Sequence, residues 1–237
     1  MRPTDPIERF LRGHMHGTRP ADALDSRFRP FVTISRQAGA GGHSLAEVLI
    51  ERFEQHDNKE LFGEWEMFDQ KLVAMVADDS DLRVSVEALL SENYHKAADD
   101  FFRQLFTSKT HQDIIMHRMF RLVRVIAEVG KAVIVGRAGS QVTRGLAFPW
   151  VSVRLVADEK LRIQRTMAYY NLTEKQAKES IDKHDAGSAR LLKRHFRANI
   201  DDPMLYDAVW NTSQASFDEI ADSIIAMLQR RAEKREN

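Results

Sequence analysis

The sequence predicts an α/β protein built on a five-stranded parallel sheet with helices on both faces. Two observations predict it. Five short runs rich in β-branched and aromatic residues are each separated from the next by stretches with helical spacing, and a glycine-rich loop joins the first run directly to an amphipathic pattern.

The first run, Phe31-Val32-Thr33-Ile34, favours a short buried strand, and Leu45, Val48, Leu49 and Phe53 follow it at helical spacing. The segment Glu64 to Asp69 (EWEMFD) is the second strand, and a helical, acidic region runs from Gln70 to about Ser108. Ile115, Met119, Leu122, Ile126 and Val129 then mark one helix face, with Gly130 placed to cap its end. Ala132 to Arg137 (AVIVGR) is the third strand and Trp150 to Ala157 (WVSVRLVA) the fourth. Asp158 starts a helix, and a second, densely charged one starts at Thr173, where a T-x-x-Q capping box reaches Gln176. Tyr206 to Thr212 (YDAVWNT) is the fifth strand, and Phe217, Ile220, Ile224 and Leu228 line the last helix. Residues 1–30, rich in Pro, Arg, His and Gly, form a lead-in arm in which Asp5-Pro6 can start a short helix.

Composition narrows the function classes. At 237 residues with 43% hydrophobic content, the chain can bury a sizeable core. Lys+Arg and Asp+Glu both number 35, so no global field recruits nucleic acid or anionic lipid, and neither is expected as a partner. The chain has no cysteine, which removes disulfides, thiol catalysis and cysteine-ligated zinc. The nine histidines have no H-E-x-x-H spacing, and His14 and His16 fall in the arm. Without a continuous apolar segment of signal or membrane-spanning length, the sequence reads as cytoplasmic.

The loop Gly39-Ala40-Gly41-Gly42-His43-Ser44 holds the first functional signal. Glycines admit positive φ and let a ligand reach the main chain, while the first turn of a helix presents unpaired N–H groups to an anion such as phosphate. The dinucleotide fingerprint G-x-G-x-x-G fails at Ser44. The P-loop pattern G-x-x-x-x-G-K-[ST] fits the strand–loop–helix context but meets Arg36 at its first glycine and Gly42 at its lysine. Spacing alone therefore leaves open a phosphate cradle and a turn that only lets helix and strand pack closely.

Taken with the rest of the chain, TISRQAGAGGHSLAEVL resembles the opening of the cytidylate kinase-like family, a branch of the P-loop nucleoside monophosphate kinases whose loop commonly reads S-R-Q-x-G-x-G-G. The resemblance runs from about Phe31 to Leu228. It takes in FDQKLV, IVGRAGS, VRLVADEKLRIQR, DKHDAGSARLLKRHF and DDPMLYDAVWNT in that order. It implies a P-loop kinase-type core, a monophosphate-binding insertion at about Gln70 to Ser108, and an arginine-bearing lid at about Arg162 to Arg197.

By position, the resemblance implies that Gly39, Gly41 and Gly42 wrap the phosphates of ATP. Arg36, Ala40 and His43 complete that binding segment, and Ser44 is similar to the hydroxyl that helps hold Mg²⁺. Arg137 corresponds to the arginine that binds the acceptor's phosphate. Arg162, Arg165 and Arg190 correspond to lid arginines, and Asp185 to a lid acid that orients the acceptor. Asp69 and Lys71 are candidates for the acceptor side, with Asp69 also a candidate for the Mg²⁺ shell. Read without the resemblance, Arg162 and Arg165 also fit a solvated helix face or partners for Asp158 and Glu159, Asp185 and Arg190 fit a surface, and Asp69 fits a helix cap.

Phosphoryl transfer suits such a set because catalysis there is mostly positioning plus cationic stabilisation. The expectation is a phosphotransferase from ATP to CMP, dCMP or a related small phosphate acceptor, using a variant loop without the usual lysine. Arg36 or His43 is the candidate to supply that charge, the histidine only where a phosphate raises its pKa. The alternative is a P-loop nucleotide-binding or regulatory protein with little or no turnover.

Overall fold

The computed structural model of the chain describes residues 29–69, 111–146 and 150–234. The lead-in arm, apart from Arg29 and Pro30, and the region from Gln70 to Ser108, with Lys71, lie outside the described residues.

Five strands, β1 (Phe31–Arg36), β2 (Glu66–Phe68), β3 (Ala132–Val135), β4 (Trp150–Val156) and β5 (Ala208–Asn211), form one sheet in the order β2-β3-β1-β4-β5. Every pairing is parallel. Both faces are covered, which is why the strands read as near-continuous apolar runs. On one face, Phe31, Phe68, Ala132 and Ile134 pack on α3 (His111–Val129) through Phe120, Val123 and Ile126. On the other, Val32, Ile34, Val133, Val135, Val151, Val153 and Leu155 pack against α1 (Gly42–Gln55) and α7 (Phe217–Glu233).

The remaining described helices are α2 (Lys59–Phe62), α4 (Gly139–Val142), α5 (Glu159–Tyr170) and α6 (Glu174–Phe196). Thr173 and Gln176 make the expected capping box of α6. Gly130, at φ +84°, ends α3 with its N–H donated to Ile126. Asn171, at φ +53°, breaks the chain between α5 and α6.

β2 to β5 are shorter than the sequence suggested, while β1 runs two residues further, to Arg36, and at β2 and β3 the reason lies in the backbone. Glu64 sits at φ +63°, outside strand geometry, and Trp65 buries its ring against Phe53 while donating its indole N–H to Leu61 O at 3.0 Å. At the end of β3, Gly136, Arg137 and Ala138 have φ of +82°, +53° and +54°, turning the chain sharply into α4. The central strand β1 has β3 on one side and β4 on the other, so the loop after it emerges where the strand order reverses. Ligands bind at that point in open α/β sheets.

Among the described residues, no helix is long and apolar enough to cross a membrane.

Candidate active site

The glycine loop is held in shape by what packs on it. Gly39 and Gly41 have φ of +77° and +90°, a conformation that side-chain-bearing residues rarely adopt. A Cβ on Gly39 would lie 2.5 Å from Arg162 O, and one on Gly41 would overlap the Phe217 ring. The glycines at 39 and 41 thus let α5 and the start of α7 close on the loop. Close packing and a phosphate cradle, which spacing left as alternatives, are compatible here, because the same loop packs on one side and lines a cavity on the other.

Side chains distant in sequence brace the loop. Asp185, on α6, accepts the Ala38 N–H at 2.7 Å and an Arg162 Nη1–H at 2.6 Å, and the same Arg162 nitrogen donates to Ala38 O at 3.2 Å. Thr212, just past β5, donates its hydroxyl to Ala40 O at 2.9 Å and accepts Arg165 Nη1–H at 2.9 Å. The Arg165 guanidinium also lies over the Phe217 ring, 5.2 Å from its centroid.

In this arrangement Arg162 and Arg165 brace the loop, and Asp185 contacts its backbone. The physical reason is burial. Arg162 is 9% exposed, and a guanidinium removed from water needs acceptors, which Asp185 and the Ala38 carbonyl supply.

Two cavities open at the carboxyl edge of the sheet. One, of about 730 Å³, is lined by Arg36, the loop from Gln37 to Gly39, Gly41 to Ser44, Asp69, Arg165, and Tyr169 and Tyr170 at the end of α5. The other, of about 680 Å³, lies between the turn after β3 and α6 and is lined by Arg137, Lys183, Gly187, Ser188 and Arg190 among others. Arg36, Ser180 and His184 line both.

Of the expected residues, Arg36, Gly39, Gly41, Gly42, His43, Ser44, Asp69 and Arg165 thus line the first cavity, Arg36, Arg137 and Arg190 the second. Ala40 is fully buried beneath the loop. His43 faces Glu47 at 3.4 Å and meets Tyr169 edge-on.

Electrostatics ties the two cavities together. Burial lowers the pKa of Arg36, which the charges of Asp185 and Asp69 oppose. Burial and the neighbouring Arg36 charge lower that of Arg137, again against Asp69. Arg36 and Arg137 thus share the wall of the second cavity, with the charge of Asp69 acting on both.

A family model described as the cytidylate kinase-like family matches residues 31–214. The chain belongs to that family. Its sheet order and its strand–glycine loop–helix opening are those of the P-loop kinase core. No curated protein matches the chain. An uncharacterized protein from Eubacterium ventriosum shares the fold at 20% identity and a TM-score of 0.60, over 85% of this chain and 99% of its own. TT1252 from Thermus thermophilus matches at 14% identity and a TM-score of 0.46, over 85% of this chain and 97% of its own. Shikimate kinase from Bacteroides thetaiotaomicron matches at 11% identity and a TM-score of 0.42, over 87% and 98%.

Within this family member, several site residues escaped the sequence reading. Thr212 was visible only as the end of a strand run, and Phe217 only as a core residue of the last helix. Lys183 and His184 sit in a charged helix that gave no sign of which face turns toward the sheet. Gly136 was legible as part of the GR motif, but not as the neighbour of Arg36.

Proposed function

We propose that this protein is a nucleoside monophosphate kinase-like phosphotransferase that moves the terminal phosphoryl group of ATP to CMP, dCMP or a related small phosphate acceptor. The observation that carries this reading is the meeting of two cavities at Arg36, one built on a glycine loop and a helix start, the other walled by Arg137 and the cations of α6. Two anionic substrates whose phosphates must touch need adjoining sites with a shared cationic wall.

In this reading, the N–H groups of Gly39, Gly41 and Gly42 and the first turn of α1 hold the donor's phosphates. The fit is supported by the cavity of about 730 Å³ that Gly39, Gly41 and Gly42 line. Arg137 and Arg190 hold the acceptor's phosphate. The acceptor's phosphate oxygen bonds to the terminal phosphorus as the bond from that phosphorus to the ADP oxygen breaks, so ADP leaves and no covalent enzyme adduct forms.

Mg²⁺, when bound, would offset the negative charge that develops during phosphoryl transfer. Ser44 and Asp69, both lining the loop cavity, would hold it. No group of three or more acidic or histidine side chains among the described residues could hold a metal by itself.

The test is a coupled ADP-release assay with Mg-ATP and a panel of CMP, dCMP, UMP, AMP, GMP, shikimate and no acceptor. Acceptor-dependent release that disappears in Arg137→Ala, with an unchanged thermal melt, supports the kinase and names its acceptor. A second reading, a nucleotide-binding protein without turnover, is favoured by Gly42 at the lysine position. ATP binding with no release on any acceptor would select it.

A further inference from the structure

Resting on the phosphotransferase reading, we propose that Arg36, the last residue of β1, supplies from the strand the cation that a P-loop ordinarily supplies from the lysine position of the loop, and that it contacts the transferred phosphoryl group. Gly42 and Gly136 are the space through which it does so.

The steric record is specific. A Cβ on Gly42 would lie 3.1 Å from Cγ and 3.2 Å from Cδ of Arg36, tighter than nine in ten real Cβ contacts. A Cβ on Gly136 would lie 2.6 Å from Nη1 and 2.9 Å from Cζ. The stem of Arg36 therefore runs across position 42 and its guanidinium rests over position 136. A lysine at 42 would crowd the stem, which would have to give by a few tenths of an ångström. The loop's missing lysine and the arginine that ends β1 are two sides of one arrangement.

The position is held from below. Arg36 is aligned with Leu155 on β4, and the next residue is tied by Gln37 N–H to Leu155 O at 2.9 Å and by Gln37 Oε1 to Ala157 N–H at 3.1 Å. Before it, Ser35 Oγ accepts Arg154 Nη1–H at 3.0 Å, and Arg154 donates to Asp201 at 2.8 Å. These contacts fix the backbone from which the Arg36 side chain leaves.

Its destination is the wall common to both cavities, where Gly136 and Arg137 lie on one side and the glycine loop on the other. The planar fork of an arginine can donate in two directions at once, which a lysine's point charge does without fixed geometry. Arg36 can thereby contact the terminal phosphoryl group while it belongs to the donor and after it has joined the acceptor.

The experiment compares wild type with Arg36→Met, Arg36→Gln, Arg36→Lys and Arg36→Met/Gly42→Lys. It measures binding of Mg-ATP, inorganic tripolyphosphate and AMP by calorimetry, with a thermal melt for each variant. The expected result is a loss of Mg-ATP and tripolyphosphate affinity of about 30-fold or more in Arg36→Met. AMP binding is expected within about threefold of wild type, because its single phosphate makes fewer contacts with the loop. Lysine at 42 should recover about tenfold in the double variant, because it restores a cation to the vacated space.

Arg36→Met that melts like wild type and binds tripolyphosphate within about threefold of it overturns this assignment and leaves the phosphotransferase reading standing. Wild type that binds neither Mg-ATP nor tripolyphosphate overturns both. Should Arg36→Met not fold, Arg36→Gln decides: it keeps a polar side chain and loses the charge, so wild-type affinity for tripolyphosphate in that variant also overturns the assignment, while Arg36→Lys, which keeps the charge, should stay closer to wild type than Arg36→Gln.

Discussion

Asp185 on α6 accepts the backbone N–H of Ala38 in the glycine loop at 2.7 Å, across 147 residues of sequence. The same carboxylate holds Arg162, whose Nη1 returns to Ala38 O. Both polar groups of one loop peptide position are therefore satisfied by α5 and α6. The loop's shape depends on where those helices sit.

Asp185→Ala should destabilise the fold by about 2–3 kcal/mol, because it leaves the largely buried Arg162 without its carboxylate and Ala38 without its acceptor. Its kinetic effect should fall on the donor, with KM for ATP rising more than KM for the acceptor. Thermal melts and initial-rate kinetics check both, and an acceptor KM that rises more than the donor's would return Asp185 to the acceptor side.

Gly41→Ala should cost about 2–4 kcal/mol, from the left-handed backbone at φ +90° and from overlap with the Phe217 ring. Trimming the ring separates the two causes. In Gly41→Ala/Phe217→Leu the steric share should be relieved and the backbone share should remain, so the double variant melts above the sum of the two single losses. Strict additivity in a double-mutant cycle would show that the contact contributes nothing.

Thr212→Val keeps the shape of a side chain that is 5% exposed but removes the hydroxyl shared by Ala40 O and Arg165. The expected loss of stability is about 1–2 kcal/mol. ATP affinity should fall with it, because the loop is released at Ala40; Thr212→Ser, which keeps the hydroxyl, should retain most of both.

Lys131 gives a pH signature in a part of the fold remote from the proposed chemistry. Burial pushes its amine down to about 8, against the opposing charges of Glu64 and Glu60. Its Nζ donates to Glu60 O at 2.6 Å and Gly63 O at 2.9 Å, pinning the loop before β2. An unfolded lysine keeps its proton to about pH 10.4. Between pH 8 and that value the unfolded chain binds more protons than the folded one, so stability rises with pH across this window and is flat below it. The melting temperature of wild type minus that of Lys131→Met should therefore grow from pH 8 upward, and a constant difference would contradict it.

Much of the architecture was legible because it rests on local rules. Parallel strands buried on both faces read as near-continuous apolar runs: the run at Ala132 is apolar throughout, and those at Phe31 and Trp150 are interrupted mainly by the buried Thr33, Ser152 and Arg154. The Thr173 cap and the Gly130 stop use side-chain and backbone chemistry confined to a few neighbouring residues. Short elements such as α2 and α4 carried too few residues for a period to emerge, and Arg137 and Ala138 carry no glycine-like signal for the left-handed turn they make.

The sequence by itself determined the fold class, the family and the loop as the place to look, since each is written in residues adjacent along the chain. Only the tertiary structure decided which charges serve the loop and which face the cavities. Arg162 and Arg165 lie three apart on a helix like any charged pair, and only the packing of α5 beneath Gly39 makes them braces. Arg36 likewise reads as a misfit at a motif's first glycine until Gly42 and Gly136, 94 positions apart, are seen to leave room for it. Spacing along a chain records neighbours within an element; which empty space a long cation fills is set by contacts between elements.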